Sequence, residues 1–190
     1  VSQKEDDTEV PGPDDLNKVG TVARILKMLK MPDGTNTVIL QGQQRFKWQE
    51  VVQEEPYLKA KVEAYGGIED PLPEEEGQAM MESLRDLSVE LIEMNPNIPT
   101  EAADAIKGID RLGFLVNFIG SNMQVGVEEK QGILEEVQLE QRSQMVLALL
   151  HKEKQMLSLK QDIHRKVKTD LDQQQREFFL HQQMKTIQEE

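Results

Sequence analysis

The sequence predicts an α+β chain: a small β-rich subdomain, a helical bundle subdomain and a long C-terminal helix. Three observations carry this. Met31-Pro32-Asp33-Gly34-Thr35 reads as a hairpin turn between two strand-like runs. From Pro73 onward, apolar residues recur at helical spacing. After Gly132 neither Gly nor Pro occurs through Glu190, a run of 58 residues.

Taken in order, residues 1–17 are acidic and carry Pro11, Gly12 and Pro13, which predicts a solvated loop. Residues 18–70 form the β-rich subdomain. Pro32 presets φ for the turn, and Gly34 accepts the positive φ that closes it. Val22, Ile25, Leu26 and Leu29 would also suit one helix face, but a hairpin turn needs a strand on each side, so Val22–Met31 is read as strand. Thr37–Leu40 follows with β-branched residues. Phe46 and Trp48 alternate with Arg45, Lys47 and Gln49. Leu58, Ala60, Val62 and Ala64 alternate with Lys59, Lys61, Glu63 and Tyr65. Gly66, Gly67 and Pro71 end the region.

Residues 71–150 form the helical subdomain. Pro73 and Glu74–Glu76 start a helix, since Pro is tolerated in the first turn and acids favour the positive dipole end. Met80, Leu84, Leu87, Leu91 and Met94 then mark its apolar face, and Asn95-Pro96-Asn97 stops it. Thr100 is placed as the cap of a helix over 101–107, and Asp110 as the cap of a helix containing Leu112, Leu115, Val116 and Ile119. Gly120–Gly126 is read as a break, followed by a short helix through Leu134. Residues 151–190 form the long helix. A wholly helical run of 58 residues would reach roughly 87 Å, so part of it must project. A kink or break is expected somewhere around His151–Leu157.

Composition narrows the function. The chain has 190 residues, enough to bury a core, with 22 Lys+Arg against 35 Asp+Glu and a formal charge of −13. The sign drifts along the chain. Residues 1–17 hold six acids and one base, residues 18–47 six bases and one acid, and residues 53–101 thirteen acids and three bases. The total opposes general nucleic-acid binding, while the basic segment leaves a local face open. There is no Cys, which removes disulfides, thiolate nucleophiles and Cys-ligated zinc, and suits a reducing cytosol. No apolar run approaches membrane-spanning length, so no membrane partner is expected.

No catalytic pattern is found. The phosphate-cradling G-x-x-x-x-G-K-[ST] is missing, as are G-x-S-x-G and H-E-x-x-H. Ser158 and Lys160, two apart on a helix, cannot form a dyad locally. His151, His164 and His181 are too far apart along one helix to share a metal.

Two stretches nevertheless resemble a known family. Val19–Phe46, VGTVARILKMLKMPDGTNTVILQGQQRF, is similar to the amino-terminal domain of Lon, the ATP-dependent serine protease. Gln175–Glu189, QREFFLHQQMKTIQE, is similar to the segment that leads into the family's ATPase module, with Phe178-Phe179 where the family usually has Tyr-Tyr. Order and spacing also agree, so the resemblance covers nearly the whole chain. It implies a PUA-like β-subdomain that is incomplete, because the family's opening strands are absent. It also implies a chain truncated before the AAA+ ATPase and Ser–Lys protease modules. ATP and Mg would belong to that missing ATPase module, and no cofactor or metal to this fragment.

The implied role is non-catalytic: recognition of unfolded or damaged protein substrates and assembly of a cytoplasmic homohexamer, with ATPase and protease domains in cis. Capturing unfolded chains requires accessible apolar side chains on a firm scaffold. Phe178, Phe179, Leu180 and Met184 are the leading candidates, followed by Met80 and Met81. Two alternatives come from other classes. One is a helical scaffold that self-associates through the long helix. The other is a nucleic-acid module using Arg24, Lys27, Lys30, Arg45 and Lys47 of the basic segment, since Lon proteins are often described as binding DNA.

Overall fold

The computed structural model describes residues 1–5, 10–66 and 72–189, with side chains at 1–5, 10–66, 72–180, 183 and 184. The predicted terminators Gly67 and Pro71, and the expected boundary at 70/71, lie outside the described residues. Three strands, β1 (Val19–Lys30), β2 (Asn36–Gln53) and β3 (Lys59–Ala64), precede five helices. These are α1 (Glu74–Met94), α2 (Glu101–Lys107), α3 (Leu112–Asn122), α4 (Val127–Glu135) and α5 (Leu139–Glu189). The α+β class is therefore the one expected. The chain divides into two compact units. One comprises Val1–Leu84 and Gly108–Leu147, the other Arg85–Lys107 and Ala148–Glu190.

In the first unit the strands form one antiparallel sheet in the order β1-β2-β3. The β1–β2 turn forms where Pro-Asp-Gly predicts it, with Gly34 at φ 87° and Gly34 N donating to the Met31 carbonyl at 3.0 Å. Asp33 Oδ1 accepts from the Thr35 hydroxyl at 2.7 Å and from the Thr35 N–H at 2.9 Å. Those two donors, the hydroxyl foremost, hold the Asp33 carboxyl below the usual carboxylate range. A depressed folded-state pKa contributes stability at neutral pH that disappears as pH falls through it. Followed by NMR, the Thr35 amide shift is expected to titrate with a midpoint below that of aspartate in an unstructured peptide. A midpoint at or above the peptide value would remove this role for the turn.

The amino-terminal residues are less loop-like than their composition suggests. Gln3 bridges antiparallel to Leu16, Lys4 N donates to the Asp15 carbonyl, and Asn17 N donates to the Ser2 carbonyl. A side chain at Gly20 would force its neighbours to move. A Cβ at that position would lie 2.6 Å from Val1 Cγ1 and 2.9 Å from Phe46 Cζ.

Helix α4 joins the sheet through polar contacts. Gln131 Nε2 donates to the Val19 carbonyl, Tyr65 Oη to the Glu135 carbonyl, and Arg45 Nη1 to the carbonyls of Leu134 and Glu136. Leu84, Leu115, Val116, Ile119, Ile133 and Val146 are buried in this unit. In the second unit, Leu87, Leu91, Ile92, Ala103, Ile106 and Leu150 are buried. Lys154 Nζ lies 2.7 Å from the Glu90 carboxylate, and Gln161 Nε2 donates to the Met94 carbonyl.

Three local expectations are corrected. Arg111, not Asp110, is the N-cap of α3; its backbone is extended and its carbonyl accepts from Leu115 N at 2.9 Å. Gly120 does not break the helix. It lies inside α3, where a Cβ would come within 3.3 Å of Ile133 Cγ2 and 3.7 Å of Val146 Cγ2, so a small residue lets these side chains approach. Finally, α5 is not broken at 151–157, where the helix is continuous. Nothing in that stretch removes a backbone donor or relaxes φ.

Candidate functional site

The apolar end of α5 is the first candidate surface. Phe178 and Phe179 are 66% and 64% exposed, and Leu180 and Met184 are exposed as well. Successive helical positions are about 100° apart, so the two rings point in different directions and meet only edge-on, at 6.2 Å between centroids. Leu180 and Met184, four apart, share a face. Together the four place apolar surface around much of the helix. Such a helix normally has a partner. Met156, Leu159, Ile163, Val167 and Leu171 continue exposed apolar surface along the preceding turns of α5.

Met80 and Met81 on α1 are both half-buried. Met80 lines an open hollow of about 310 Å³ with Leu72, Glu76, Ala79, Ser83 and Leu147. Met81 is not part of that lining. A second hollow, of about 190 Å³, opens on the sheet and is lined by Phe46, Trp48, Val51, Leu58, Ala60 and Val62 among others.

The five basic candidates do not converge. Strand register places Arg24 opposite Gln41 and Lys27 opposite Ile39, both on one face of the β1–β2 ribbon. Lys30, opposite Asn36, belongs to the other face. Arg24, Lys27, Lys30 and Lys47 are exposed. Arg45 is half-buried, and its guanidinium joins β2 to the α4–α5 connection.

Sequence reasoning missed the apolar face of that ribbon. Ile25 pairs with Leu40 and Met28 with Val38, and all four side chains share one face. They are solvent-exposed, Ile25 and Met28 by 60% and 61%. The register skips at Leu26, which is why a strict two-residue alternation does not reveal the face. The available signal was the run Val38-Ile39-Leu40, which is apolar without alternation.

Among the described residues no group of three or more His, Asp or Glu could hold a metal ion. Nor is any helix among them long and apolar enough to cross a membrane.

Comparison with known proteins gives the family and the fold. The sequence model of the ATP-dependent protease La (Lon) substrate-binding domain matches residues 1–152. A Lon protease of Flavobacterium johnsoniae is 51% identical over 190 residues, covering 100% of this chain and 23% of that protein. A Lon protease of Cytophaga hutchinsonii is 42% identical over 190 residues with the same coverage. The chain thus spans about 23% of the length of these relatives. Among solved structures, the N-terminal domain of Mycobacterium avium complex Lon protease superposes with a TM-score of 0.60 at 16% identity, covering 74% of each chain. That likeness concerns the fold. With residues 1–152 matched by the family and relatives this similar along the whole chain, the protein belongs to the Lon substrate-binding domain family.

Proposed function

We propose that this chain captures unfolded or damaged protein segments for an ATP-dependent serine protease and helps assemble its homohexamer in the cytoplasm. ATP and Mg would be bound by an ATPase module, and cleavage carried out by a protease module, elsewhere in the same polypeptide. The observation that carries this reading is the exposed apolar set Phe178, Phe179, Leu180 and Met184. Unfolded chains differ from folded ones chiefly in exposed apolar segments, and burying these against such a surface is favourable whatever their sequence. Met80, beside its hollow, and Met81 are secondary candidates, since methionine adapts to varied partners. The stripe from Met156 to Leu171 supports the assembly role.

The test is binding of this chain to one labelled protein, presented unfolded and then folded, at low and high salt. Preference for the unfolded form is expected to persist at high salt, because apolar burial is not screened. Phe179→Ser is expected to weaken capture by about tenfold, the effect of losing one well-placed aromatic anchor. Equal binding of folded and unfolded protein would overturn the reading. Unchanged affinity in Phe179→Ser would remove that residue from the surface.

A further inference from the structure

The open hollow beside Met80 lies between α1 and α5, within the first compact unit. Glu76, Ala79, Met80 and Ser83 fall at i, i+3, i+4 and i+7 on α1, so one helix face supplies them. Glu140 and Leu147, seven apart, line the hollow from α5. Its apolar wall includes Leu72, Met80 and Leu147, all half-buried. The three polar side chains offer only acceptors. Glu76 and Glu140 are carboxylates without an ion-pair partner among the described residues. Glu140 accepts from the Gln144 amide at 3.1 Å, which leaves its charge uncancelled. The Ser83 hydroxyl already donates to the Ala79 carbonyl at 2.8 Å, so its oxygen is left to accept. Among the described lining residues there is no cation. Helix α1 as a whole carries seven acids against Arg85 alone.

A fitting ligand must bring several donors and a positive charge at the end of an apolar stem. The arginine side chain does so. Its guanidinium holds its donors in a planar fork matched to carboxylates, and its methylene stem lies along apolar surface. Lysine has the charge and the stem but not the fork. A wholly apolar side chain would take water from both carboxylates and return no hydrogen bond. We propose that this hollow receives an arginine side chain, flanked by apolar residues, from a protein segment that the chain engages. This rests on the proposal that the chain captures unfolded protein. It adds a selective site to an unselective apolar surface. The hollow lies within residues 1–152, the span matched by the substrate-binding model, whereas Phe178 to Met184 lie beyond it.

The probe is a short peptide, blocked at both ends, with one arginine between two leucines. Calorimetric titration of the whole chain is expected to show saturable binding. Replacing arginine by citrulline, which keeps the shape and removes the charge, should weaken it by about tenfold. Lysine should fall between the two. Raising the salt should narrow the gap between arginine and citrulline, because the carboxylates are exposed. Glu76→Gln with Glu140→Gln should weaken the arginine peptide by about tenfold and leave the citrulline peptide nearly unaffected. The methyl NMR signal of Met80, identified by its loss in Met80→Leu, should shift on binding. Unaltered circular dichroism would show that these variants fold.

Equal binding of the arginine and citrulline peptides, or undiminished binding by the Glu76→Gln, Glu140→Gln variant, would overturn the arginine site. So would peptide binding that leaves the Met80 methyl signal in place. A mass that doubles with concentration in wild type but not in that variant would assign the hollow to a second copy of this chain, and would overturn it too. The two proposals fail separately. Capture of unfolded protein without binding of the arginine peptide would overturn this site alone. Arginine-selective peptide binding without preference for unfolded protein would overturn the proposed function and leave the arginine site standing.

Discussion

Trp48→Ala is expected to destabilise the β-containing unit by about 3–5 kcal/mol, the range for removing a buried large aromatic. The residue is buried on central strand β2, opposite Val62 of β3. Its Nε1–H donates to the Asn17 carbonyl at 2.8 Å, and its backbone N–H donates to the Lys18 carbonyl at 3.0 Å. Lys18 Nζ lies 3.6 Å from the ring centroid, a cation–π contact. One side chain therefore fixes the segment entering β1, the middle of β2 and the face of β3. Trp48→Phe separates these contributions. It keeps much of the apolar area and loses the indole donor, so about 1 kcal/mol is expected from the missing hydrogen bond. Because Trp48 is the only tryptophan, far-UV circular dichroism through urea unfolding is the suitable readout. A loss below about 1 kcal/mol in Trp48→Ala would show that the strands are held elsewhere.

The features that could be read from sequence were those set by neighbouring residues. The Pro32-Asp33-Gly34 turn follows from φ preferences within five residues. Helix α1 begins at Glu74, beside Pro73 as expected, because its start signals are local. The exposure of Phe178 and Phe179 follows from helical geometry, since adjacent positions on a helix face different directions. Features made by distant residues were not legible. Arg45 reads as one cation in a basic run, yet it reaches carbonyls 89 and 91 positions away. Gly120 reads as a breaker, yet it lies inside α3, where a Cβ would press on Ile133. The gap between α4 and α5 contains neither Gly nor Pro. It is fixed by polar contacts on the carbonyls of Leu134, Glu135 and Glu136. The apolar ribbon face was hidden for a related reason. Only the pairing with β2 shows that the register skips at Leu26 and aligns Ile25 with Met28.

The same α4–α5 connection carries the second large effect. Arg142 is fully buried, and its Nη1 donates to the Glu136 carbonyl at 3.1 Å. Arg45 Nη1 donates to that carbonyl too, at 2.8 Å, and to the Leu134 carbonyl at 3.2 Å. A carbonyl oxygen has two lone pairs, so both donors can be accommodated at once. Arg142→Ala removes a large side chain from the interior together with a charged donor, and a loss of about 3–5 kcal/mol is expected. Arg45→Ala opens onto partly exposed surface and should cost less, about 1–3 kcal/mol. Because the two share an acceptor, their losses should not add. A double-mutant cycle is expected to return a coupling of about 0.5–3 kcal/mol, against nearly zero for independent sites. Arg142→Met tests what the charge contributes. It restores most of the volume without the donor, and buried ionic groups can often be exchanged for apolar ones of similar size without loss. Recovery of wild-type stability by Arg142→Met would assign the effect to packing. Stability no better than that of Arg142→Ala would assign it to the hydrogen bond that ends α4 and starts α5.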